Sequence, residues 1–246
     1  MTALLVLGCG KSQLDDKPTA TVEAPVTAEA PRADEAKPAP EPADKTKAPA
    51  PAEKPGAVAP KGAPPVAPGA KPDPLEKANR ELVLDARRSS VGFVGRKVTG
   101  DHEGTFADFE ASATLEGYVP TSLKVSVQTG SVVSDHPKLT NHLKNADFFH
   151  ASKYPTARFV STRVRPGAEG VATHTITGEL SLLAVTKRIT FPATIVVTDA
   201  GATGLAEFKI NRKDFGIVYP GRPDDLIKDE VLLKLNLAFL DKKYAK

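Results

Sequence analysis

Residues 231–240 read VLLKLNLAFL, and the fold turns on that stretch. Val231, Leu233, Leu235, Leu237 and Phe239 fall on one face, while Lys234, Asn236 and Ala238 share the other with Leu232 and Leu240. Successive side chains of an extended chain point to opposite sides, so this period of two predicts a strand with one buried face and one wetter face. The same period recurs upstream. Ile189, Phe191, Ile195 and Val197 share a face, as do Ile176, Leu180 and Leu182, and Leu123, Val125 and Val127. Val91 and Phe93 begin a further run that then turns polar. Turn-forming residues separate the runs at 99–104, 117–120, 165–170 and 199–204. Many strands at short spacing predict an antiparallel barrel or sandwich.

One segment breaks the pattern. Residues 136–145 read as one or two turns of helix, with Asp135 placed to cap it and Pro137 in its first turn. A barrel has no free sheet edge, which suits an all-β domain in a chain whose lone Cys has no partner for an internal disulfide.

Composition divides the chain. Of 22 Pro, 15 lie at or before Pro74, whereas all 10 Phe and all 4 Tyr lie at or after Phe93. A segment without aromatics and rich in Pro, Ala, Lys and Glu cannot bury enough apolar surface to offset its ordering entropy. Residues 10–74 are therefore expected to form a disordered tether, and residues 75–246 one ordinary domain. As a flexible coil the tether would reach roughly 45 Å, and up to ~200 Å stretched into polyproline II. The domain holds 24 basic and 20 acidic residues, scattered rather than gathered into a patch, so nucleic acid is not an expected partner.

Residues 3–8 form a short apolar run ending in Val6-Leu7-Gly8 before Cys9. This resembles the lipobox of bacterial lipoproteins. The resemblance implies that residues 1–9 are a signal remnant, that Cys9 is the lipid attachment site, and that the protein is periplasmic and lipid-anchored. Gly10, rather than Asp, after the Cys implies the outer membrane. The run is shorter than a full signal and lacks a positive start, so the true start codon is expected upstream of Met1. It is also far below the ~20 residues that span a bilayer.

Three further segments carry a second resemblance: HLKNADFFHASKYPTAR at 142–158, TGELSLLAVTKRITFPATI at 177–195 and INRKDFGIVYPGRPDDLIKDEV at 210–231. In this order, with strands between them, they resemble the YceI-like family across roughly residues 82–240. The resemblance implies an all-β, antiparallel lipocalin-like barrel with the short helix against it, and an isoprenoid-type apolar lipid as partner. Two departures remove imidazoles that other members carry: Leu183-Ala184 in the central motif, and the early strand running Phe93 to Val98. Chemistry attached to those histidines elsewhere is not carried over.

Alternation and the resemblance together nominate a lining for the cavity. From the first half of the domain come Val91, Phe93, Phe109, Leu115, Phe148 and Phe159; from the second, Ile176, Leu180, Phe191, Phe208, Phe215 and Leu235. Ala111, Ala113 and Gly178 on the same faces would leave room for a ligand, or fill the taper of a small barrel. Phe148 and Phe149 are adjacent and cannot point the same way. Arg212 and Asp214 could pair to fix a loop, with Gly216 releasing its backbone; a head-group contact by Arg212 is the alternative.

His136, His142 and His150 do not share a helical face, since six residues turn a helix by ~240°. With no Cys cluster or HExxH pattern, neither a metal nor a cofactor is expected. No nucleophile elbow, phosphate loop or dinucleotide fingerprint points to an enzyme. The expected function is non-catalytic binding of a long isoprenoid lipid, for carriage or storage. The alternative is an envelope protein–protein interaction or structural module with a closed core. A filled interior would favour the module, and an apolar tunnel of roughly several hundred Å³ the binding protein. Oligomeric state is not legible in the sequence.

Overall fold

The computed structural model of the protein describes residues 13–23, 78–168 and 170–245. The strands are β1 (Thr21–Glu23), β2 (Asn79–Leu84), β3 (Ser90–Lys97), β4 (Asp101–Phe106), β5 (Phe109–Glu116), β6 (Val119–Gln128) and β7 (Val132–Ser134). After the helix α1 (Pro137–Leu143) come β8 (Thr156–Pro166), β9 (His174–Leu182), β10 (Val185–Thr198), β11 (Gly201–Asn211), β12 (Gly221–Arg222) and β13 (Asp225–Asp241). Three staves are bent and broken in two: β2 pairs β5 while β3 pairs β4, and β5 pairs β6 while β4 pairs β7. From there β6 bonds to β8, β8 to β9, β9 to β10 and β10 to β11. The 17-residue β13 closes the ring, with β11 on one side and β2 and β3 on the other. The result is a closed, antiparallel, eight-stave meander with a single helix among the described residues. This is the lipocalin-like architecture that the resemblance implies, and of the barrel or sandwich that alternation allows it is the barrel.

The register of β13 explains the closure. Val231, Leu233, Leu235, Leu237 and Phe239 all face the interior, so the ten-residue alternation turns one continuous apolar ridge inward. The helix starts as its Pro137 suggests, but its cap differs from expectation. His136 is the N-cap, its Nδ1 accepting from the amide of Lys138 at 3.3 Å. Asp135 instead lies 3.0 Å from Nδ1 of His102, which β4 brings within reach.

At one end of the barrel a buried ion pair fastens the staves. Arg80 Nε donates to Asp241 at 2.8 Å, and its other nitrogens donate to the carbonyls of Gly117, Thr198 and Asp199. Four stave ends and loops thus share one guanidinium. Burial pushes the Asp241 carboxyl up, but hydrogen bonds from Arg80 and the Lys243 amide outweigh it and hold the group below its ordinary range.

Residues 13–23, which composition assigns to the disordered tether, are docked on the barrel wall. Leu14 is buried against Val94 and Leu232, two apolar side chains on the outer face of the barrel. β1 then pairs with β10. The physical reason is local: a tract poor in apolar residues still places Leu14, Ala20 and Val22 where an outer apolar patch and an open strand edge can use them. All described residues belong to one compact unit. Residues 1–12, with the Cys9 segment, and residues 24–77, which hold most of the expected tether and the first three residues of the expected domain, lie outside the described residues.

Candidate functional site

Inside the barrel lies a cavity of about 190 Å³. Its walls are built by alternation: Val91 and Phe93 from β3, Val125 and Val127 from β6, Leu180 and Leu182 from β9, Ile189 and Phe191 from β10. A smaller cavity of about 60 Å³ continues towards the Arg80 end, and Phe191 and Leu235 line both. These two side chains therefore act as a partition. Phe191 is held by stacking on Phe208 at 4.0 Å and by a tilted contact with Phe159 at 5.4 Å. Polar atoms are almost absent from the main lining. A space of this size could hold on the order of ten waters, but each would lack the two to four polar partners that stabilise buried water. An apolar guest fits the chemistry better.

Eight of the twelve nominated side chains line the main cavity: Val91, Phe93, Phe148, Phe159, Leu180, Phe191, Phe208 and Leu235. Leu115 and Ile176 line the smaller one. Phe109 and Phe215 line neither. Phe109 opposes Val127 at the first residue of β5, so it packs on the core from the stave's end. Phe215 is fully buried in a 3-10 turn (Arg212–Phe215) and packs into the core beside the wall. Several lining residues escaped nomination. Val125, Val127 and Ile189 carried the alternation signal; Phe106, Ile217 and Ile227 sit beside bends and loops where the period is interrupted.

The end opposite Arg80 is covered by two aromatic clusters that Phe148 and Phe149 divide between them. Phe149 meets Phe93 at 5.9 Å and Phe106 at 5.5 Å; Phe148 meets His142 at 5.0 Å and Tyr219 at 5.5 Å. The adjacent rings do diverge, yet both line the cavity. His142 is also 2.8 Å from Asp147. Gly178 does not leave room for a ligand, as its small size suggested. The Phe159 ring fills the space, and a Cβ on Gly178 would lie 2.5 Å from it.

Arg212 fixes the loop at this end, though not through Asp214. Its guanidinium donates to the carbonyls of Ile217, Ile227 and Lys228 at 2.7, 3.3 and 3.1 Å, and to Asp229 at 3.3 Å. Asp214 instead faces Lys187 at 3.6 Å. Burial pulls the Arg212 guanidinium down and Asp229 opposes the shift. With its donors directed at carbonyls, Arg212 serves the loop and the start of β13, which carry Ile217 and Ile227 into the cavity wall. Asp225 holds the β3–β4 turn through Thr99 and Lys97.

The YceI-like domain family matches residues 82–239. A UPF0312 protein of Pseudomonas putida (strain W619) is 39% identical over 155 residues, covering 60% of this chain and 77% of that protein. A UPF0312 protein of Azotobacter vinelandii is 38% identical over 124 residues, 46% of this chain and 62% of that one. Among solved structures, BcnA of Burkholderia cenocepacia superposes with a TM-score of 0.56 at 25% identity, over 63% of this chain and 98% of its own. A polyisoprenoid binding domain from Saccharophagus degradans, implicated in plant cell wall breakdown, superposes with a TM-score of 0.51 over 67% of this chain and 99% of its own. At 15% identity that likeness is one of fold.

Proposed function

The chain belongs to the YceI-like family, and on that premise we propose that its barrel binds a long apolar lipid of the isoprenoid type without catalysing a reaction. The observation that carries the reading is the apolar cavity of about 190 Å³ along the barrel interior. A dry cavity of ~150 Å³ already takes an apolar guest, and each buried CH₂ of a chain contributes about 0.8 kcal/mol. The structural neighbour from Saccharophagus degradans, a polyisoprenoid binding domain, supports the same chemistry.

The cavity as it stands is smaller than the ~300–1,000 Å³ pockets of drug-sized ligands. A swing of the Phe191–Leu235 partition would join the two spaces, and a long chain would need the joined space to widen further as it enters. Selection would then rest on length and girth rather than on polar recognition. The same proposal places the protein in the cell envelope, anchored through Cys9. Lipid extracts of the protein, purified without detergent from its source cells, test both parts. The reading expects a long prenyl lipid in near-stoichiometric amount, and membrane association that Cys9→Ser abolishes. Folded protein free of lipid would sink the binding reading, and an unchanged membrane fraction for Cys9→Ser would sink the anchor.

A further inference from the structure

Both ends of the barrel are fastened, and one place in its wall is not. Arg80 ties four stave ends and loops at one end; Arg212, α1 and the two aromatic clusters pack across the other. In the wall, β10 and β11 bond to each other only from Thr194↔Leu205 to Thr198↔Gly201. Beyond that they diverge, each paired on its far side with β9 or β13.

Residues 18–23 fill the gap. β1 pairs with β10 from Thr21↔Thr190 to Glu23↔Arg188, while the Ala20 amide donates to the Lys209 carbonyl and the Lys209 amide to the Pro18 carbonyl, both at 2.8 Å. Ala20 and Val22 pack into the core behind them. Between Thr190 and Thr194 no β1 or β11 pairing reaches β10. There Phe191 and Leu235 line the cavity on one side and an outer groove on the other. One layer of side chains separates the cavity from the outside.

Besides this pairing and packing, surface contacts hold the segment. Leu14 sits on Val94 and Leu232. Around it are surface pairs: Asp15 with Arg96, Lys17 with Glu207, Glu23 with Arg188, and Gln13 with Glu103 and Lys234. Exposed pairs of this kind contribute little each. Arg188, opposite Glu23, keeps its Nε buried with no hydrogen-bond partner among the described residues. Opening either barrel end would instead break a buried guanidinium network, which is far harder.

We propose that residues 13–23 are a detachable strap over a side port, through which an apolar chain enters and leaves the cavity. The port rests on the reading that the cavity binds such a chain; the strap as a removable strand does not. The 54 residues from 24 to 77 that link strap to barrel are long enough for the strap to leave without moving β2.

The test uses the full chain with Cys9→Ser and a reporter thiol at Ile189→Cys, a buried lining position opposite Val22. N-ethylmaleimide labelling is followed by mass spectrometry for the intact strap, for deletion of residues 13–23, and for Leu14→Asp, which loosens the strap without removing it. The proposal expects labelling at least tenfold faster after deletion and intermediate for Leu14→Asp. An excess of the peptide QLDDKPTATVE should slow the deleted form again. Should deletion unfold the barrel, Leu14→Asp with unchanged circular dichroism decides alone. Equal labelling in all folded forms overturns the strap. Uptake of N-phenyl-1-naphthylamine by the same proteins separates the two ideas. Strap-dependent labelling with no uptake by any form keeps the strap and removes the binding reading together with the port. Uptake at one rate in every form keeps the binding reading and removes the port.

Discussion

Gly178 lies beneath the Phe159 ring, and Gly104 beneath that of Phe93, its cross-strand partner. Each pairs a missing side chain with a large one, so the aromatic ring covers the backbone and is itself locked. A methyl at Gly178 would meet both the Phe159 ring and the Val160 carbonyl at 2.5 Å, and the carbonyl cannot move without breaking the sheet. Gly178→Ala should therefore cost about 1–3 kcal/mol, in the range of overpacked cores. Thermal unfolding checks this; an unchanged midpoint would show that Phe159 is free to swing. Such details were not legible in the sequence. Alternation puts Gly178 on the inner face, but whether a small inner residue opens a void or receives a neighbouring ring depends on a rotamer on the adjacent stave. The same holds for Arg212: its charge was visible as a loop-fixing group, but not its carbonyl partners.

At the scale of elements, the alternating runs placed the staves and their inner faces, because a closed barrel demands period two along every strand. The breaks escaped: at the bends between β2 and β3, β4 and β5, and β6 and β7, short 3-10 turns or single residues interrupt the period, so Phe109 and Phe106 exchanged roles. Residues 13–23 escaped for another reason. Their composition resembles the tract that follows, and only the unpaired edges of β10 and β11 reveal what they cover. The Arg80–Asp241 pair joins stave ends that the sequence separates by 161 positions, and it makes the barrel acid-sensitive. Asp241 is held below its unfolded value, so its contribution is complete above about pH 4 and is lost as pH falls through the folded value. Asp241→Asn should lower stability at neutral pH, by about 3–5 kcal/mol if Arg80 is left unpaired, and should flatten the loss below pH 4. Urea unfolding from pH 7 to pH 3 measures both; parallel curves for the two proteins would contradict the assignment.

For the whole molecule, a docked strap changes the meaning of the tract that precedes the domain. Gln13 stands four residues from Cys9, at most about 14 Å of extended chain. Under the proposed anchor, the barrel with its strap in place is held near the membrane surface with the port close to it, and the long reach expected of residues 10–74 is available only once the strap lets go. The proposed function stands on the apolar space inside the barrel, divided by Phe191 and Leu235, which would take a chain by burial alone. Its most direct measurement is displacement of a bound apolar fluorophore by prenyl alcohols of increasing length, in the native protein and in Leu235→Trp. The account predicts affinity that climbs with each isoprene unit until the joined cavities are full. It also predicts loss of that climb in Leu235→Trp, whose added bulk blocks the partition while changing stability by no more than about 1–3 kcal/mol. Affinity independent of chain length, or displacement unchanged by Leu235→Trp in a folded protein, would contradict it.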